Sequence, residues 1–121
     1  MNGTAICSVE DPIVKVSNAV LVFDEKSAVL PEASACINCG RCIEHCPVGI
    51  SVADVDRMMN IKDADKKARM LIETGVRQCV DCACCSYVCP ANRPLLQINW
   101  DAKDFLKKYA AEQKEKEGGN K

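Results

Sequence analysis

The chain is short of aromatic side chains, of long apolar runs and of any excess of one charge. Sixteen basic residues against seventeen acidic ones leave a formal net charge of -1. No basic stripe stands out, which argues against a surface built to track nucleic-acid phosphates. The longest strongly apolar run, AVLVF at 19–23, is far too short to cross a bilayer. The N-terminus, MNGTAICSVEDP, has no basic stretch followed by an apolar one, so nothing in it marks the chain for export. There is a single histidine, His45, and five aromatic residues: Phe23, Tyr87, Trp100, Phe105 and Tyr109. The 121 residues amount to one domain, with no room for a second large core. With so few large side chains, apolar burial has to be modest, and something else must help to hold the fold.

What the chain has in abundance is cysteine: ten residues. A secreted disulfide scaffold is one way to use that many thiols, but without an export signal a reducing, cytoplasmic setting fits better, and there clustered thiols serve more often as metal ligands. An internal repeat strengthens that reading. Shifting the chain by 43 positions lays Cys36, Cys39, Cys42, Cys46 and Pro47 onto Cys79, Cys82, Cys85, Cys89 and Pro90. The two copies read CINCGRCIEHCP and CVDCACCSYVCP, the second with an additional thiol, Cys84. Disulfide frameworks have no reason to repeat this rhythm, whereas a site built twice does.

Three cysteines at successive intervals of three residues let a tight loop curl round one compact object and present three thiolates to three of its corners. A cuboidal 4Fe-4S cluster is such an object. The fourth cysteine, one residue further on and followed by proline, is turned away from the first loop, because proline fixes φ and removes an N–H. In the bacterial ferredoxin run of the same spacing, the fourth cysteine ligates the other cluster. Carried to this chain, that pattern assigns one cluster to Cys36, Cys39, Cys42 and Cys89, and a second to Cys79, Cys82, Cys85 and Cys46. Tetrahedral zinc is the bland alternative, as a bound interaction module, but it has no use for a third closely spaced cysteine in each copy. A Rieske centre needs two histidines and is excluded. His45 reads as solvent-facing or as supporting a ligand. Cys84 could compete with Cys85, but only Cys85 keeps both intervals; Cys84 is expected to be a buried free thiol, and Cys7 a small apolar residue. Gly40 and Ala83 share one place in the two loops. Glycine there lets backbone approach cluster sulfides at positive φ, whereas Ala83 must either stay in an ordinary region or accept strain of about 1 kcal/mol.

Coarse secondary structure separates the two loops with helices. Residues 13–23, rich in β-branched side chains but broken by Ser17 and Asn18, suggest two short strands or an extended arm. Ser51 with Asp54 resembles a capping box before a helix carrying Val52, Val55 and Met59. Asp63 starts another, with Ala64, Ala68, Leu71 and Ile72 at helical period and Gly75 as its stop. A third is expected over about 95–115, with an apolar face of Leu96, Trp100, Leu106 and Tyr109. Met58, Met59 and Met70 read as core filler. The expected fold class is mainly α: an α-helical ferredoxin domain over 31–110, preceded by an extended or β arm over 1–30 and followed by a charged, disordered tail over 111–121.

CINCGRCIEHCP, CVDCACCSYVCPANRPLLQ and the upstream GTAICSVEDPIVKVSNAVLVFDEKSAVLPEASACINCG resemble the C-terminal part of the C subunit of the Rnf complex, a membrane-associated, ion-translocating ferredoxin:NAD+ oxidoreductase. The resemblance runs from about Gly3 to Leu96. It implies two 4Fe-4S clusters on the eight motif cysteines, a location at the cytoplasmic face of a membrane without a span of its own, and as partners the other subunits of a membrane redox complex and a soluble ferredoxin. Two stretches depart from the family: Ala83, where glycine is usual, and GISVADV, where a Leu-Leu-Pro-like stretch is usual. The full subunit also has an upstream flavin- and nicotinamide-binding region, and nothing here resembles its Gly-rich phosphate loop. FMN and NAD are thus expected only in that region, with residues 1–30 as the connection leaving it and Met1 as the start of a shortened chain. This chain alone is expected to relay electrons, with no catalytic residue. A freestanding soluble two-cluster carrier, or a cluster subunit of a heterodisulfide- or cobalamin-reductase-type complex, are the alternative redox readings.

Overall fold

The computed structural model describes residues 6, 8–15 and 17–118. Six helices follow one another: α1 (Glu25–Ala28), α2 (Arg41–Glu44), α3 (Val52–Met59), α4 (Ala64–Glu73), α5 (Cys84–Tyr87) and α6 (Leu95–Gly118), with a 3-10 turn at Val76–Gln78. Among the described residues there is no strand, so the chain is mainly helical, and the segment 13–23 is an arm and not a pair of strands. Its described side chains are exposed, Phe23 at 62% and Val22 at 91%. Among the described residues no neighbouring strand completes a ladder, and two short strands alone bury too little to persist. Cys7 lies outside the described residues.

α3 begins where Ser51 was expected to cap it, but the capping box does not close. The Ser51 hydroxyl donates to the Asp54 carboxylate, which also accepts from Arg57 at 2.9 Å. A capping box uses Glu or Gln three residues on; aspartate is one methylene shorter and turns to its neighbours instead. α4 follows the sequence more closely. The Asp63 carboxylate accepts from the Lys66 N–H at 2.9 Å, and the helix ends at Gly75 with φ 76°.

α6 packs on both α3 and α4, while α2 lies beside α5. Val52 and Val55 of α3, Ala68 and Leu71 of α4, and Val76 are buried against it. Met58 and Met59 pack on this core as filler, and Met70 is half-buried. Ile72 and Ala64, counted in the α4 stripe, are exposed. The face that α6 buries also differs from the expected one: it is Leu95, Asn99, Ala102 and Leu106, spaced by four, three and four residues. Trp100 is 37% exposed, Leu96 is half-buried, and only Leu106 belongs to both sets. The small Ala102 and Asn99 let α3 come close, so the seam holds less apolar bulk than the face beside it. Tyr109 lies at the edge of the core, its ring stacked on Phe105 with centroids 6.1 Å apart and its hydroxyl donating to Asp65 at 2.6 Å. The helix runs on to Gly118, past the tail boundary expected at residue 110.

The repeat seen in the cysteines is also a repeat of backbone shape. α3 and α6 start at Val52 and Leu95, 43 positions apart. Left-handed residues recur at that interval: Asn38 and Asp81, both at φ 56°; Gly40 at 77° and Ala83 at 63°; Gly49 at 75° and Asn92 at 50°.

Candidate metal centre

The two cysteine runs enclose two cavities of about 400 and 310 Å³, counted out to their open mouths. The first is bordered by Cys36, Cys39 and Cys42 of the first run and by Cys89 of the second. The second is bordered by Cys79, Cys82 and Cys85 of the second run and by Cys46 of the first. The cavities are copies of one another: every residue around the second has its counterpart 43 positions away around the first, including Val52 for Leu95, Leu96 for Ala53 and Asn99 for Asp56.

Each loop is shaped in the same way. The left-handed turn at Gly40 or Ala83 leads into a single helical turn, α2 or α5, whose first carbonyl, of Gly40 or Ala83, accepts two N–H groups at 3.0 and 3.1 Å. Ala83 therefore takes the strained alternative, at about 1 kcal/mol. Ala83→Gly is expected to stabilise the chain by about 0.5 kcal/mol, the relief of strain being partly offset by greater freedom of the unfolded chain. Gly40→Ala, with nothing near the added Cβ, is expected to cost about as much. Anaerobic denaturant titration of both variants reads the two changes, and a less stable Ala83→Gly would contradict the strain.

A cation from a long helix pins each loop. Arg57 of α3 donates to the Asn38 side chain. Lys103 of α6 donates to Asp81 at 2.8 Å and to the Cys79 carbonyl at 2.7 Å, and this hydrogen bond holds the Asp81 carboxyl below its ordinary range. Two sulfurs also accept hydrogen bonds, Cys46 from the Ile50 N–H at 3.3 Å and Cys79 from Asn99 Nδ2 at 3.7 Å.

The thiols differ in exposure. Cys36 and Cys39 are exposed, Cys42 and Cys85 buried, and Cys46, Cys79, Cys82 and Cys89 intermediate. Burial pushes Cys42 and Cys79 up, and Cys85 up to about 11. Cys82 is lowered, chiefly by the backbone N–H of Cys84. Thiols held protonated in this way would have to give up protons to act as ligands, so loading such a site would release acid. Cys84 is half-buried rather than buried, raised mainly by its hydrogen bonding with Cys82, and it does not border the second cavity. His45 is exposed, its Nδ1 3.0 Å from the Arg41 carbonyl oxygen. Asn38, Asp56, Arg57, Asp81, Arg93, Asn99 and Lys103 are residues of this site that the sequence does not single out. Comparing the repeats beyond Pro47 and Pro90 would have paired Asp56 with Asn99, the two buried polar residues of the described chain.

Among the described residues, no three His, Cys, Asp or Glu side chains are grouped as they would be round a single ion. No helix of the described residues is long and apolar enough to cross a membrane. A stretch of 72 residues, 58% of the chain, is 35% identical to the C subunit of the ion-translocating oxidoreductase complex of Rhodobacter capsulatus. A stretch of 66 residues is 32% identical to the protein of that name from Methanosarcina acetivorans, and one of 49 residues is 41% identical to that from Yersinia enterocolitica. These stretches amount to 14%, 15% and 7% of the lengths of those relatives. The family model of the 4Fe-4S dicluster domain matches residues 32–93, more than half of the chain and the whole of both cysteine runs; the chain belongs to the 4Fe-4S dicluster domain family.

Proposed function

We propose that this chain is a one-electron relay holding two 4Fe-4S clusters, one on Cys36, Cys39, Cys42 and Cys89 and one on Cys79, Cys82, Cys85 and Cys46, and that it works within a membrane-associated ion-translocating ferredoxin:NAD+ oxidoreductase. The observation that carries the cluster reading is the border of the cavities, three thiols from one run and the last thiol of the other in each. Four thiols bordering one cavity, three from one run and one from the other, suit a body with several corners. Bound there, such a cluster takes up and returns a single electron. The chain's own groups hold and tune it. The thiolates fix its position, the Ile50 N–H and Asn99 amide stabilise charge on sulfur, and the left-handed turns bring bare backbone to the cavity wall. Because each run serves both cavities, the two sites are tied close together, and an electron passes between them without a diffusing carrier.

The assignment to a membrane complex rests on the likeness to the relatives named above. Its expected partners are the other subunits of such a complex and a soluble ferredoxin, with the chain peripheral at the cytoplasmic face and FMN and NAD held elsewhere. Anaerobic reconstitution is expected to give about eight irons per chain and a broad visible absorption that a strong reductant bleaches. A colourless protein with about two zinc ions would overturn the reading. Co-purification with membrane-embedded redox subunits tests the assignment to a complex.

A further inference from the structure

The two cavities are copies in shape but not in charge. Of the twelve corresponding positions, five are identical and five exchange one apolar residue for another, such as Ile37 for Val80 and Ala91 for Val48. Two do not: the first cavity has Asp56 and Arg93 where the second has Asn99 and Ile50. Arg93 Nη2 donates to Asp56 at 2.8 Å and Nη1 to the Ser34 carbonyl at 3.2 Å, while its Nε is buried with no partner in the protein. Both side chains are largely covered, at 26% and 12% exposure, so this pair is poorly screened. The charge pair beside the second run, Asp81 with Lys103, borders neither cavity.

Resting on the two-cluster reading above, we propose that the Arg93–Asp56 pair makes the two sites unequal, holding the cluster of the first cavity at the higher reduction potential, so that the first electron to enter the chain rests there. A fixed cation beside the first cavity would stabilise an added electron, and the buried, unpaired Nε–H would be free to donate to a cluster held there. Asp56 orients the guanidinium and offsets part of its charge. The wall of the second cavity has only a neutral amide, its nitrogen 3.7 Å from Cys79; the cation nearest that run, Lys103, stands outside the wall and is engaged by Asp81 and the Cys79 carbonyl. The favoured site is also the one whose Cys36 and Cys39 are exposed, so the resting electron sits at the edge open to a partner.

Anaerobic reductive titration of the reconstituted chain, followed by absorption and electron paramagnetic resonance, is expected to give two one-electron steps. Asp56→Asn, which installs the counterpart residue of the second cavity, is expected to raise the upper step about tenfold in its equilibrium, about 59 mV. Arg93→Gln, which removes both the cation and its unpaired Nε–H, is expected to lower that step by more than about tenfold, and the double variant Asp56→Asn with Arg93→Ile, in which the loss of Arg93 outweighs the loss of Asp56, to bring the two steps closer. In all three the lower step should stay nearly still. Shifts of one sign for both single variants, shifts confined to the lower step, or no shift with about eight irons bound would each overturn the proposal and leave cluster binding standing. Loss of about four irons in Asp56→Asn would make the pair a structural latch and overturn it as well. A wild-type chain that takes up no iron and gives no bleachable absorption refutes the two-cluster reading itself, and the proposal with it.

Discussion

Replacing Cys46 with alanine is expected to halve the bound iron, from about eight to about four per chain, and to remove the cluster of the distant loop. Cys46 sits four residues beyond Cys42 but borders the cavity of Cys79, Cys82 and Cys85. Pro47 follows it and turns the chain, and its sulfur is held by the Ile50 N–H at 3.3 Å. A cuboidal cluster left with three thiolates and an open corner is prone to lose iron, and Ile50, buried in the core, offers no substitute ligand. Cys89→Ala is expected to act on the first cavity in the same way. Double variants separate the crossed arrangement from a local one, because losses at a shared site do not add. Cys46→Ala with Cys79→Ala should lose no more iron than either alone, while Cys46→Ala with Cys36→Ala should empty both sites. The reverse pattern would sink the crossed arrangement.

Legibility in the sequence followed the strength of local constraint. The cysteine runs were readable because their spacing repeats without slippage at an interval of 43 residues, and α4 because Asp63 and Gly75 mark its ends by their own chemistry. Two features were misread where tertiary contacts decide, and a third, the segment 13–23, stood open between strands and an extended arm. Leu95 and Leu96 are equal candidates for a buried face, and Trp100 drew the expected stripe towards itself; the true seam passes through Ala102 and Asn99, residues that a search for apolar bulk passes over. Ser51 and Asp54 have the outline of a capping box, but the shorter acid answers to Arg57. The β-branched residues of 13–23 fit a strand by propensity, yet a strand forms only where another completes it. The charge difference between the cavities was hidden for another reason: Asp56 and Arg93 look like ordinary surface residues until the fold brings them together at 2.8 Å.

Stripping the iron from the chain with a chelator is expected to abolish its cooperative unfolding transition and to remove more than half of its helical circular dichroism. The largest fully buried side chains of the described residues are Leu71, Leu106, Val52, Val55, Val76 and Asn99, with no aromatic ring among them. Aliphatic side chains of this size contribute about 1.5–3 kcal/mol each, which falls short of offsetting the entropy of ordering loops as irregular as these. Cys42 and Cys85 are part of the core itself, so without a cluster the core faces two open cavities. α2 and α5 have four residues each, far below the length at which a helix persists in water, so they depend on their packing against each other, α3 and α6 and on whatever fills the cavities they border. The longer α6, at 24 residues, is expected to keep some helix, which sets the residual signal. Returning iron and sulfide should restore the transition, since metal binding then supplies the folding free energy. An iron-free chain that melts cooperatively near the temperature of the loaded one would show that the aliphatic core suffices by itself.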